Sequence, residues 1–172
     1  MLRLITTALL CSLPALALAQ DGSQKTAPLM GADQAEVGTV TLTDTPNGVL
    51  VEMTVNSGGL EAGERAMHFH ETGDCSAADF SSAGGHYNAA AEHGYHPEAG
   101  PHAGDMPNFV IRDGQETTES VFNPMVRLTD GDAPLLDDDG SALVIHAGID
   151  DYRSQPSGDA GDRIACAELT AN

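Results

Sequence analysis

Basic residues are scarce in this chain. Among 172 residues there are 26 aspartates and glutamates but only 7 lysines and arginines, a formal charge of −19. That imbalance sets nucleic acid and anionic membrane surfaces aside as partners. Apolar runs are also lacking beyond the N-terminus, so no later segment is long enough to span a bilayer. Neither a sustained amphipathic helix nor an internal repeat is visible. Cysteine is limited to Cys11, Cys75 and Cys166.

The one apolar run opens the chain. Met1-Leu2-Arg3 precedes residues 4–10, an apolar run but for Thr6 and Thr7, and the run continues weakly to Ala17-Leu18-Ala19, a small-x-small cleavage signal. Residues 1–19 therefore read as a secretory signal peptide, with a mature chain starting at Gln20 and residing in the periplasm, free of the membrane once cleaved. Loss of Arg3 takes the charge to about −20. Cys75 and Cys166 remain, and two cysteines in an exported chain read as one disulfide.

Residues 20–35 are small and polar and read as a flexible arm. The rest, 36–172, reads as one domain of ordinary size. Alternation at 37–42 and 49–55 around the turn signal Pro46-Asn47-Gly48 predicts a β-hairpin. Further strands are expected at 66–70, 109–112, 119–122, 125–128, 142–146 and 163–169. Two Gly-rich stretches without period, 71–107 and 147–162, are read as long loops carrying the chemistry. Short strands separated by turns imply an all-β sandwich or barrel.

The seven histidines are the most informative part of the composition. His68-Phe69-His70 is an H-x-H on a strand, and residues two apart on a strand face the same way, so both imidazoles can reach one metal. His86 follows Gly84-Gly85, whose freedom allows close placement of a ring. His146 ends the apolar run Leu143-Val144-Ile145. Four imidazoles without a thiolate suit copper. His86, His93, His102 and Asp105 form a second set, three imidazoles and a carboxylate suited to tetrahedral zinc, which would organise a loop with no core of its own. The competing readings are two unrelated surface histidines for the H-x-H, a buried core residue for His146 and a solvated His-rich loop for the second set.

Four segments resemble the copper/zinc superoxide dismutase family, in its bacterial periplasmic form. They are Ala66-Met67-His68-Phe69-His70-Glu71-Thr72-Gly73-Asp74-Cys75-Ser76, Ala83-Gly84-Gly85-His86-Tyr87-Asn88, Gly100-Pro101-His102-Ala103-Gly104-Asp105, and Gly158-Asp159-Ala160-Gly161-Asp162-Arg163-Ile164-Ala165-Cys166. The likeness covers about 36–169. It implies an eight-stranded Greek-key β-barrel and dismutation of superoxide to dioxygen and hydrogen peroxide by copper redox cycling. It implies copper on His68, His70, His86 and His146, and zinc on His86, His93, His102 and Asp105, with His86 bridging the metals. Arg163 would attract the anion beside copper. Asp150 would hydrogen-bond a ligand from each site, and Cys75 and Cys166 would pair. A homodimer is compatible with the resemblance.

The chain departs from the family pattern in three ways, one of them a packing detail, Leu169 in place of the usual β-branched residue after the second cysteine. The interval from His86 to His93 is one residue short, which makes His96 a rival zinc ligand. The second loop lacks a guiding lysine, and Arg153 is its only other cation. The alternative function is a non-catalytic periplasmic copper- or zinc-binding protein on the same barrel, which would typically have lost a copper ligand or the arginine. A dinuclear metallo-hydrolase would continue H-x-H-x-D-H, whereas Glu71-Thr72-Gly73 follows here.

Overall fold

The computed structural model describes residues 22–87 and 90–171, so the expected leader, 1–19, lies outside the described residues. The strands are β1 (Gln24–Gly31), β2 (Glu36–Thr45), β3 (Gly48–Val55), β4 (Gly63–Arg65), β5 (Met67–His70), β6 (Phe109–Ile111), β7 (Thr117–Asn123), β8 (Ser141–His146) and β9 (Arg163–Leu169), with one short 3-10 turn at Ser81–Ala83. All strand pairs are antiparallel. One sheet runs β5-β8-β9-β1-β2-β3-β7, and β4 pairs with β6. Only Ala66 separates β4 from β5, and β6 lies beside β7, so the ring closes with β4 and β5 as one bent strand. Eight barrel strands result, and their order around the ring is that of a Greek key.

The hairpin signal is met as read, with Thr45 opposite Gly48 across Pro46-Asn47. Along β3, alternate residues Val49, Val51, Met53 and Val55 are buried in the barrel core. Two expectations fail. The supposed flexible arm contains β1, which pairs with β2 along its length and with β9 at Met30 and Gly31. Its signal is short because Ala27 and Leu29 are its fully buried apolar side chains and Pro28 interrupts them. Pro28 is tolerated because β9 pairs with β1 only beyond it. The strand expected at 125–128 is an irregular connection, fastened instead by Asp44. That carboxylate accepts hydrogen bonds from Arg127 Nε (3.1 Å) and Nη2 (2.8 Å) and from the Leu128 amide (3.1 Å).

Strands β5 and β8 position the site. On β5, Met67 and Phe69 enter the barrel core, which turns His68 and His70 outward beneath the loops. On β8, Leu143 and Ile145 face the same core, while Ala142 and Val144 pack under Cys75, Phe80, Ala83 and Cys166. Burial on both faces explains why β8 reads as a continuous apolar run. The Cys75–Cys166 disulfide joins the start of the 71–107 loop to β9. That loop also covers the free edge of β5. Phe69 N–H donates to Gly104 O (3.0 Å), Tyr87 N–H to Phe69 O (2.8 Å) and Glu71 N–H to Gly85 O (3.0 Å).

Candidate metal centre

Eight side chains proposed from the sequence meet outside the barrel wall, and all eight are buried: His68, His70, His86, His93, His102, Asp105, His146 and Asp150. Ligand-capable atoms of His68, His70, His86 and His146 lie within 4.8 Å of one another, and so do those of His86, His93, His102 and Asp105. His86 belongs to both groups. His96, the rival ligand, is exposed and outside them. His146 enters its group through a β-bulge. Ile145 pairs with Ala165, but His146 pairs with Arg163, skipping Ile164. The extra residue bends β9 and sets Arg163 opposite His146.

Every ring but His86 is held from behind. Carbonyl acceptors fix a proton on the facing nitrogen: His70 Nδ1–H donates to Gly84 O (3.0 Å), His146 Nδ1–H to Gly161 O (3.1 Å) and His102 Nε2–H to Ala91 O (3.0 Å). Asp150 accepts from His68 Nε2–H through Oδ2 (2.8 Å) and from His93 Nε2–H through Oδ1 (2.9 Å), so one carboxylate orients a ring of each group. Asn108 fixes Asp150 in turn, donating from Nδ2 to its carbonyl and accepting its N–H at Oδ1, both at 2.9 Å. The loops meet here at van der Waals limits. A Cβ on Gly158, whose φ is +67°, would lie 1.9 Å from Asp150 Oδ1 and 2.6 Å from His93 Nε2.

The opposite nitrogens test whether metals fit. His68 Nδ1, His70 Nε2, His86 Nε2 and His146 Nε2 are buried with no hydrogen-bond partner, and so is His102 Nδ1. Burying a polar atom unpaired is costly, and four such atoms converging in one group is the pattern a metal would satisfy. In the second group Nδ1 of His86, His93 and His102 stand 3.1, 3.0 and 3.4 Å from the single oxygen Asp105 Oδ1. Three imidazoles and one carboxylate at one point fit zinc, and four nitrogens fit copper.

The electrostatics of the two groups differ. Burial, reinforced by neighbouring imidazoles, pushes His70 down to about 2 and His146 to about 3. Burial takes His86 to about 4 against the opposing hydrogen bond to Asp105. These rings are neutral and ready to ligate. Burial also acts downward on His93, but hydrogen bonds to Asp105 and Asp150 outweigh it and raise that ring to about 9. Burial acts upward on Asp105 and Asp150, yet their histidine hydrogen bonds prevail and hold both well below the usual carboxylate range.

The first group opens to solvent through a concavity of about 400 Å³, walled in part by His70, His86, His146, Gln155, Pro156 and Arg163. Arg163 is half-buried. Its Nη1 donates to Phe80 O and its Nη2 to Gly84 O, both at 2.6 Å. Gly84 O thus receives both Arg163 and His70, which fixes the cation relative to that ring.

The sequence profile described as copper/zinc superoxide dismutase matches residues 36–169. The chain belongs to the copper/zinc superoxide dismutase family. It is 44% identical over 150 residues to the Cu-Zn superoxide dismutase of Caulobacter vibrioides, covering 84% of each chain. It is 43% identical over 146 residues to Cu-Zn superoxide dismutase 2 of Aquifex aeolicus, covering 83% of this chain and 84% of that one. Among solved structures, the Cu/Zn superoxide dismutase of Brucella abortus is similar at TM-score 0.67 and 26% identity, covering 86% of this chain and 99% of that one. A superoxide-dismutase-like protein from Bacillus subtilis is similar at TM-score 0.78 and 34% identity, covering 84% and 97%. The reaction is accordingly the dismutation of superoxide to dioxygen and hydrogen peroxide, and the cofactors are copper and zinc. The non-catalytic alternative gains no support, since neither the four-histidine group nor the arginine is missing. Sequence reasoning missed Asn108, Gln155 and the Gly84 carbonyl. Gly84 falls in a quoted segment but its carbonyl carries no signal, and no motif marks the two amides, because the site residues that all three meet lie 14 to 79 positions away in the chain.

Proposed function

We propose that His68, His70, His86 and His146 hold copper, that His86, His93, His102 and Asp105 hold zinc, and that Arg163 draws superoxide to the copper side. One observation carries this reading: His86 turns Nδ1 toward Asp105 and leaves Nε2 unpaired and buried toward the other three rings. A histidine with both nitrogens committed to metal-suited groups is placed to bridge them. Copper, when bound, supplies the one-electron exchange that turns two superoxide ions and two protons into dioxygen and hydrogen peroxide.

The chain's own contribution is geometry, charge and a proton site. Asp150 keeps His68 and His93 in a fixed relation, so neither ring turns without the other. Gly84 O and Phe80 O hold the guanidinium, which stays cationic although burial lowers it from its ordinary value. Its charge favours an anion at the mouth where His70 and His146 open. His86 Nε2, which has no protein partner, is the atom suited to hold a proton whenever it is not engaged by metal.

The leader supports export, with cleavage after Ala19 and residence in the periplasm. The paired Cys75 and Cys166 suit an oxidising compartment. Among the described residues no helix is long and apolar enough to cross a membrane. The deciding experiment is metal analysis of purified protein, with dismutase activity before and after copper addition. One copper and one zinc per chain, with activity following copper, is expected. Copper uptake undiminished in a His68→Ala/His70→Ala double variant would sink the ligand assignment. Periplasmic fractionation with N-terminal sequencing should find a chain starting at Gln20.

A further inference from the structure

Gln155 stands at the junction of the two long loops. Its Oε1 accepts the His93 N–H at 2.9 Å, and its Nε2 donates to His93 O and to Arg153 O, both at 3.0 Å. The exchange with His93 is equivalent to one rung of an antiparallel ladder, made by a side chain 62 positions away. Gln155 also forms part of the wall of the concavity that leads to His70, His146 and Arg163, together with Pro156 and Ser157. The segment it belongs to is a tight turn closed on itself. Gly158 N–H donates to Ser154 O (2.7 Å) and Asp151 N–H to Gly158 O (3.0 Å). The base of this turn is pressed against Asp150 at Gly158, while its tip at Gln155 and Pro156 is exposed. Such a tip moves as a unit unless something fastens it, and the Gln155 amide does so at the backbone of His93.

We propose that Gln155 is a positioning residue for the dismutation: its amide ties the rim of the copper channel to the zinc loop at His93, so that order in the zinc loop sets the channel mouth. This rests on the ligand assignment above, and it deepens it by naming the side chain through which zinc reaches the path of the substrate. Asp150 also ties the base of this turn to the zinc loop, through the His93 ring, and His96 N–H donates to Tyr152 O (3.3 Å); Gln155 makes the separate contact at the tip, to the backbone of His93.

The test compares wild type with Gln155→Met, which keeps the length of the side chain without its amide, and with Gln155→Ala. Azide serves as the anion probe in protein loaded with both metals, its binding followed in the copper absorption spectrum. Both variants are expected to retain both metals and the azide-free spectrum, and to bind azide about threefold more weakly, in proportion to the loss of a modest hydrogen-bonded fastening. Hydrogen exchange gives the second readout, in protein loaded with zinc alone. Zinc should protect the amides of 154–158 in wild type, and most of that gain should vanish in both variants. Unchanged azide affinity in Gln155→Met, or equal zinc-dependent protection of 154–158 with and without the amide, overturns the proposal. Failure of wild-type protein to take up zinc would instead overturn the ligand assignment, so the two failures are distinguishable.

Discussion

His86 stands apart from the other proposed ligands, because both of its ring nitrogens face a metal-suited group while each neighbouring ring spends one nitrogen on a carbonyl or on Asp150. Replacing it therefore differs in kind from replacing a ring of one group. His86→Ala is expected to lose most of the activity and to abolish the spectroscopic effect of zinc on copper. His102→Ala should loosen the zinc loop yet keep a copper site with residual turnover. Equal loss of turnover in the two variants at full copper occupancy would contradict that division. Asp150→Ala should weaken zinc retention by about 10–100-fold, the usual cost of removing a hydrogen-bond partner of metal ligands, and competition with a chelator measures it. Much at this scale was legible beforehand. His68 and His70 follow from strand alternation, and His102 and Asp105 from the grouping of three imidazoles with one carboxylate. Asn108 and Gln155 were not, since an amide that clamps a distant backbone carries no periodic or motif signature.

Among the elements, β1 is where reading from sequence fell short. Two inward apolar residues separated by Pro28 make too weak an alternation to declare a strand, and tertiary pairing with β2 and β9 supplies the rest. The structure makes a sharp claim about it. Leu29 is fully buried in the barrel core, so Leu29→Ala should cost about 2–5 kcal/mol of unfolding free energy, whereas the same change in a flexible arm would cost almost nothing. Urea denaturation of metal-free protein gives the number. The 125–128 segment erred the other way, with apolar residues but only an isolated bridge from Arg127 to Pro134 in place of a ladder, and with Asp44 holding Arg127 and the Leu128 amide. The Arg127 hydrogen bond is the largest influence lowering Asp44 from its ordinary value, against an opposing contribution from burial. A carboxylate depressed on folding stabilises above its unfolded value of about 3.9 and loses that contribution as pH falls through the lower folded value. Wild type should accordingly be more stable than Asp44→Asn at pH 7. The difference should persist to about pH 4 and shrink below it. A gap independent of pH down to acid unfolding would assign the effect to packing.

On the scale of the whole molecule, an anion must approach a protein of charge −19. For a sphere of about 20 Å radius the unscreened repulsion of a unit anion at the surface is about 4 kcal/mol in water. With a Debye length of about 30 Å at 0.01 M and about 8 Å at 0.15 M, it falls to roughly 2.4 and then 1.1 kcal/mol. Arg163 acts over a shorter distance. At about 6 Å a unit pair is worth roughly 0.7 kcal/mol in bulk water and about 3 kcal/mol at an effective dielectric of 20. Six ångströms is less than either Debye length, so salt weakens the global repulsion far more than the local attraction. The second loop adds no lysine that would extend the favourable field outward, and its remaining cation, Arg153, is exposed. The rate constant of wild type at low substrate is thus expected to rise with ionic strength between 0.01 and 0.15 M, by up to about ninefold if the change in surface repulsion, roughly 1.3 kcal/mol, is felt in full. Arg163→Ala should lower the rate several-fold at every salt concentration while keeping both metals, and Arg163→Glu should lower it further and rise more steeply with salt. Pulse radiolysis of metal-loaded protein across a salt series measures all three. A wild-type rate that falls with salt would mean that the field at the channel mouth, and not the net charge, governs the approach of superoxide. Unchanged activity in fully metallated Arg163→Glu would remove the guanidinium from the path altogether.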